Sequence, residues 1–271
     1  MRFLFVLILC VWSWGVPSTA APESLSEPGV PILLYHRFGP VVADSMTVTT
    51  AVFESHLKFL HENGYTVITL KELMGMVLGK GIPANSRCVV LAADDAHRSV
   101  HTEAFPLLKK YGVPMTIFAY PSAVSNASYA MTWEQLRELM ASGLCDVQSH
   151  TYWHPNFKKE REKLPPAEFE KLVHLQLTKS KQRLEKELSG KVDLLAWPFG
   201  IFDPWLMDKA AEAGYAAAFS IERRPVTRRD HLMALPRYLL TDRDRGRAFE
   251  IIVNGPTPIA RRDNRHAEDR F

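Results

Sequence analysis

Two stretches of the chain carry side chains whose types and spacing suit metal-assisted hydrolysis. Asp94 and Asp95 directly follow Cys88-Val89-Val90-Leu91-Ala92-Ala93, small and β-branched residues that read as a buried strand of a parallel sheet. Successive side chains at a strand end point in different directions, so one carboxylate can bind a metal while its neighbour accepts a proton. Leu144 to Ser149 reads as a second strand and runs into His150 and His154, two imidazoles at positions i and i+4. One Asp and two His make a metal site that keeps a position open for water. His97 and His101 share the same spacing and are a rival ligand pair, although the helix expected to follow turns them outward. The aspartates also suit a helix N-cap, and a lone His at a strand end, such as His36, is often only a satisfied polar group.

The remaining elements must bring those strand ends to one face. Pro31 to Tyr35 is an apolar strand ending on His36, and a helix from about Val52 to Asn63 buries Phe53, Leu57 and Leu60. Strand Thr66 to Leu70, a short helix Glu72 to Leu78 and a turn-rich link lead to the Asp94-Asp95 strand. Thr102 to Tyr111 reads as helix and Pro114 to Ala119 as strand, and Thr132 to Gln135 is a capping box for a helix that stops at Gly143. A long charged segment follows the histidines, then a helix of about 22 residues opened by Pro165-Pro166. Val192 to Trp197 is a strand, Pro204 to Ala213 a helix, and Tyr215 to Ser220 and Met233 to Tyr238 are short final strands. This order predicts an α/β fold, a distorted (β/α) barrel of about seven parallel strands with outer helices, with an open sheet as the alternative. Histidines and carboxylates recurring at strand ends favour the barrel, whose loops converge on one face.

With 271 residues, 46% hydrophobic and 23% charged, the chain is of ordinary globular composition. Residues 1–20 read as a signal peptide: Arg2, an apolar run from Phe3 to Val16, and Ser18-Thr19-Ala20 as a small-x-small cleavage site. Export across the inner membrane to the periplasm, cell envelope or exterior follows from that reading. Residues 21–30 are then a linker, 31–254 the working domain and 255–271 a polar, disordered tail. Cleavage leaves Cys88 and Cys145, too few for a disulfide scaffold, and a strand expected between them keeps both as free thiols. The net charge of +3 is small, and its late arginines, Arg223-Arg224, Arg228-Arg229, Arg243 to Arg247 and Arg261-Arg262, read as a solvated face and a loose basic tail; no nucleic-acid partner is expected.

Ala93-Asp94-Asp95, Ser149-His150-Thr151 with His154, and Trp197-Pro198-Phe199-Gly200 together resemble the first three motifs of polysaccharide deacetylases with the NodB-homology domain, carbohydrate esterase family 4. The similarity runs from about Pro31 to Tyr238. It implies that Asp94 is the general base and that Asp95, His150 and His154 hold a divalent metal, with zinc the default and cobalt or nickel the alternatives. It also implies that the backbone N–H of Phe199, next to Pro198, receives the oxyanion. A strand ending in Tyr35-His36 ahead of the aspartates is similar to the circularly permuted branch of the family. That makes His36 the general acid and an N-acetylated polysaccharide, poly-β-1,6-N-acetylglucosamine of biofilms, the substrate.

Trp153, Trp197, Phe199, Phe202 and Trp205 would offer stacking surface to a sugar, although Trp197 and Trp205 read equally well as core. The family usually has Thr-Phe before the aspartates and Gly after, where this chain has Ala92-Ala93 and Ala96-His97. Trp197 replaces the arginine that tethers the base from the third motif, so Arg98 or Arg237 must serve, or the base is untethered. These departures keep open a catalytically silent carbohydrate-binding protein, and a deacetylase of peptidoglycan or another glycan is a further alternative. A monomer is expected, with an envelope export complex as the partner to consider.

Overall fold

The computed structural model describes residues 29–79, 81–83 and 87–254. The expected leader, nearly all of the linker and the tail lie outside those residues. The first half of the chain forms β1 (Ile32–Tyr35), β2 (Arg37–Gly39), β3 (Thr47–Thr49), α1 (Thr50–Glu62), β4 (Thr66–Ile68), α2 (Leu70–Leu78) and β5 (Cys88–Ala93). Then come α3 (Phe105–Tyr111), β6 (Met115–Ala119), α4 (Trp133–Ala141), β7 (Cys145–Ser149), α5 (Phe157–Lys163) and α6 (Pro166–Leu188). The chain continues with β8 (Leu194–Ala196), α7 (Pro204–Glu212), β9 (Ala217–Phe219), β10 (Tyr238–Leu239) and α8 (Arg247–Asn254).

Seven strands pair in the order β10-β1-β5-β6-β7-β8-β9, all parallel, and curl into the expected distorted barrel. β4 joins from the side and shares one edge of β5 with β6: Val67 lies opposite Val89, and Ile117 opposite Ala93. The seam between the two ends of the sheet is crossed by one short segment. Leu235 donates to Ala218 O at 2.9 Å and accepts from Ser220 N–H at 2.7 Å, tying it to β9. Just beyond it Tyr238 lies opposite Leu33 of β1.

Side chains alternate along each strand between two apolar layers, as period-2 geometry requires. Leu33, Tyr35, Val89, Leu91 and Ala93 face the layer shared with α1, α3, α4, α6 and α7. Ile32, Leu34, Val90 and Ala92 face the other, with Phe118, Phe219 and Leu70 and Leu73 of α2. Burial on both faces explains why these strands are continuous apolar runs in the sequence. Helix starts follow their caps. Thr69 and Thr132 form complete capping boxes with Glu72 and Gln135, and Asp203 accepts from Leu206 N–H just ahead of Pro204.

Four regions differ from the sequence expectation. The charged segment after the histidines contains α5, capped by Asn156 and anchored by Phe157, its one buried side chain. Residues Arg247–Asn254, for which the sequence offers no element, form α8 and bury Phe249, Ile252 and Val253. Arg37–Gly39 and Thr47–Thr49 form a separate two-stranded parallel ladder. Met233 to Tyr238 is not a strand: a single 3-10 turn occupies Leu232–Ala234, and Pro236, which has no N–H to donate, precedes the two-residue β10. Cys88 and Cys145, the two described cysteines, are free thiols, with β6 between their strands.

Candidate active site

The C-terminal ends of β1, β5, β6, β7 and β8 open onto a cleft of about 550 Å³ lined by His36, Asp94, Asp95, Tyr120, His150, His154, Trp197 and Phe199, among others. Asp94 continues the β5 ladder by donating its N–H to Tyr35 O at 3.0 Å. The chain then turns through left-handed conformations at Asp95 (φ 70°) and Ala96 (φ 48°), and Asp94 Oδ2 and Asp95 Oδ1 each come to lie 3.7 Å from His150 Nε2. A glycine would adopt the Ala96 geometry without the Cβ penalty. The loss of glycine noted in the sequence therefore falls where the backbone needs glycine's freedom.

Asp94 is almost fully buried, and Arg237 grips both its oxygens, Nη1 to Oδ1 at 2.8 Å and Nη2 to Oδ2 at 2.9 Å. Arg237 is itself wholly buried and is aimed by its Nε–H to Ser220 O at 2.9 Å. Burial alone would raise the Asp94 pKa, but the Arg237 guanidinium outweighs it and holds the carboxyl at about 2. Of the two arginines left open by the sequence, Arg237 is the tether; Arg98 is exposed and bonds Ser128 O.

Asp95 sits opposite the histidines, Oδ1 lying 3.7 Å from His150 Nε2 and 3.8 Å from His154 Nε2. No hydrogen-bond donor reaches its carboxylate among the described residues, and burial raises its pKa, with the adjacent Asp94 charge adding to that effect. His150 Nδ1 lies 2.8 Å from the Ala196 carbonyl, so that nitrogen carries the proton and Nε2 presents a lone pair. Burial drives the His150 pKa down to about 3 and lowers that of His154. A carboxylate without donors thus faces two neutral imidazoles, all three donor atoms within 4.8 Å of one another. This donor set fits a divalent cation of the zinc type.

The loop carrying the histidines is held by α6. Gln176 Oε1 accepts from Tyr152 N–H at 3.1 Å and Trp153 N–H at 2.9 Å, while Ser180 Oγ donates to Thr151 O at 2.9 Å. Both side chains are fully buried, and Thr151 and His154 adopt φ 62°. Phe199 follows Pro198 at φ 57°, is 55% exposed and meets the His154 ring edge-on at 4.5 Å. Gly200 is required next to it, because a Cβ there would lie 2.4 Å from Ile221 Cγ1. Five of the seven described non-glycine residues at positive φ, namely Asp95, Ala96, Thr151, His154 and Phe199, therefore lie in the three loops that wall this cleft, and Asp95, His154 and Phe199 line it. Each such conformation costs on the order of 1 to 3 kcal/mol, a pattern found where function dictates backbone geometry.

His36 reaches the cleft, half-buried, with its Nδ1 enclosed and unpartnered. The expected aromatic surface is only partly there. Trp197 is fully buried and donates Nε1–H to Met233 O at 2.8 Å, so it supports the cleft base as core. Pro198 is buried and shapes the turn without lining the cleft. Trp153 is exposed but lies off the lining, Phe202 stacks on Trp197 in the core, and Trp205 stacks on Phe169. Tyr120 and Tyr129 line the cleft instead. His97 and His101 do not form a ligand pair: His97 bonds Ser99 and His101 bonds Glu138 on the surface.

Comparison with known proteins decides the family. The polysaccharide deacetylase family matches residues 81–218, about half of the chain, and takes in both aspartates, both histidines and the Pro198–Gly200 turn. The chain belongs to that family. This polysaccharide deacetylase is accordingly a hydrolase acting on amide bonds. It is 28% identical over 212 residues to the poly-beta-1,6-N-acetyl-D-glucosamine N-deacetylase of Staphylococcus aureus strain MRSA252, covering 76% of this chain and 71% of that one. The structure of IcaB from Ammonifex degensii superposes on the deacetylase with TM-score 0.69 and 26% identity, over 80% of this chain and 93% of the other. The Streptococcus pyogenes deacetylase PplD, solved with acetate, shares the fold at TM-score 0.74 and 21% identity, over 84% and 99% of the two chains.

Proposed function

We propose that this deacetylase removes N-acetyl groups from an exported or cell-envelope N-acetylglucosamine polymer, with poly-β-1,6-N-acetylglucosamine the leading substrate. In this reading Asp95, His150 and His154 hold a divalent metal, zinc before cobalt or nickel. The observation that carries it is the juxtaposition of that open donor triad with a second carboxylate, Asp94, which is kept ionised by the Arg237 fork and has its Oδ2 3.7 Å from His150 Nε2. The named activity of the staphylococcal relative supports the polymer.

The chain's own residues divide the work. Asp94 is ionised at neutral pH and takes the proton of the attacking water, with its two oxygens fixed by the Arg237 fork. A carboxylate held at about 2 is a weak base, and a divalent cation, when bound, supplies the Lewis acidity that makes water acidic enough for it. His36 enters from β1 with its Nδ1 uncommitted and protonates the departing amine. The Phe199 peptide, turned by its left-handed φ, offers its N–H to the oxyanion. The expected leader, Arg2 with the apolar run Phe3 to Val16, supports a place in the periplasm, envelope or exterior.

Amine release from purified poly-β-1,6-N-acetylglucosamine, measured with and without a chelator, tests the reading. Release that the chelator stops and zinc restores is the expected result. Release only from peptidoglycan redirects the substrate, and release unaffected by chelation removes the metal from the scheme.

A further inference from the structure

One wall of the cleft carries a histidine that the scheme above leaves unused. Ser99 N–H donates to His97 Nδ1 at 3.2 Å, and Ser99 Oγ lies 2.7 Å from the same nitrogen. Ser99 Oγ in turn accepts Phe38 N–H at 2.9 Å, which leaves its own proton for His97. A ring nitrogen that accepts a backbone N–H carries no proton, so the neutral ring keeps its proton on Nε2. The fold supplies no acceptor for that Nε2–H among the described residues.

The His97 ring lies nearly parallel to Tyr129, centroids 6.3 Å apart and planes 11° from parallel. Tyr129 is 43% exposed, and its hydroxyl lies 2.6 Å from that of Tyr120. Tyr120 packs 5.4 Å from His154, which meets Phe199 at 4.5 Å. These rings form one aromatic rim from His97, past the metal donors, to Phe199. Its register is fixed by the turn that aims Asp95: Met131 N–H bonds Ala96 O at 2.9 Å and Arg98 N–H bonds Tyr129 O at 2.7 Å.

We propose that His97 and Tyr129 form a sugar subsite adjoining the reacting residue, in which a pyranose ring lies on the exposed Tyr129 face and one of its hydroxyls accepts the His97 Nε2–H. A sugar offers an apolar C–H face rimmed by neutral oxygens, which matches an aromatic face beside a neutral donor. The subsite rests on the glycan reading of the cleft and deepens it: the enzyme engages a neighbouring residue of the polymer as well as the acetamide. His97 and Tyr129 act here on substrate binding, so their loss shows in KM and grows with chain length.

The test compares β-1,6-linked N-acetylglucosamine pentamer with the monosaccharide and with p-nitrophenyl acetate, which has no sugar, all with zinc present. His97→Ala and Tyr129→Leu each raise KM for the pentamer by about tenfold with kcat retained, the size expected for one hydrogen bond or one stacking face. Activity on the two small substrates stays within about twofold, zinc content is unchanged, and His97→Gln, which keeps a side-chain N–H, recovers most of the pentamer KM. Equal losses on the pentamer and the small substrates, or an unchanged pentamer KM in both variants, overturn the subsite. Wild-type protein that turns over the aryl ester but no glycan of any length defeats the glycan reading itself, and the subsite with it.

Discussion

The two strand ends that build the site are held in opposite ways. At the end of β5 a charge is clamped by a charge: Asp94 is buried against Arg237, which arrives from the segment that crosses the barrel seam. At the end of β7 the loop from His150 to His154 is clamped by neutral groups, the amide of Gln176 and the hydroxyl of Ser180 on α6. The difference follows from what each must present. A base must stay ionised in an apolar setting, which takes a permanent cation. The two imidazoles are kept neutral by burial, which outweighs the Asp94 carboxylate 3.7 Å from His150 Nε2, and neutral clamps hold their loop without adding a further charge.

Arg237→Met should have the largest effect, since it strands the Asp94 charge: about 3 to 5 kcal/mol lost in urea unfolding, together with turnover. Full stability in this variant would mean that Asp94 is neutral in the fold. His36→Ala should lower turnover by about 10²- to 10⁴-fold without changing zinc content or urea midpoint. Unchanged turnover would remove His36 as the acid, and His231 offers no substitute, because it caps a 3-10 turn outside the cleft lining. Gln176→Leu should weaken zinc binding by about 10- to 100-fold and leave the Asp94 clamp intact, read by competition against a chromophoric chelator. Undiminished affinity there would show that the β7 loop holds its shape without α6.

The two regions also separate by pH in the zinc-free protein. His150 is held at about 3 and the buried His56 at about 4, both below the ordinary imidazole value, so the unfolded chain binds their protons first. Their contribution is complete above about pH 6.5 and is lost as pH falls toward those values. Asp94, held at about 2, contributes above about pH 4 and is lost only below that. Urea midpoints should therefore fall between pH 6.5 and 4 in wild type and fall less in His150→Gln, where the remaining slope belongs to His56, His154 and His97, all lowered by burial. A flat midpoint across that window would mean that His150 is not neutral in the fold. The smallest effect is expected from Ala96→Gly, which relieves φ 48° and should add up to about 1 kcal/mol of stability.

Much of this contrast was legible in the sequence, unevenly. Asp94-Asp95 and His150 with His154 stood out because each pair follows directly on a strand legible in the sequence, a local signal. Arg237 could be named only as one of two arginines, because its contact with Asp94 spans 143 residues of chain. Gln176 and Ser180 went unread. They interrupt the apolar face of α6 beside Val173 and Leu177, and a buried polar pair at i and i+4 was the available signal. Tyr120 and Tyr129 were missed in favour of tryptophans because exposure, which separates a stacking face from core, is set by tertiary packing. The helix α8 was hidden by its arginine-rich flank, although Phe249, Ile252 and Val253 carry the helical spacing.

The seam crossing sets an order of events for a chain made from one end. Asp94 is in place once β1, β5 and β6 pair, but its counter-ion emerges 143 residues later. Until then the carboxylate has burial without a cation, so it stays protonated or keeps the barrel mouth open to water. The segment from Leu235 to Leu239 bonds β9 at one end and β1 at the other and carries Arg237 between, so the residues that close the ring also bring the cation that keeps Asp94 ionised. An incomplete molecule is thus also a chemically silent one, because closure of the barrel and the charge on its base depend on the same late segment.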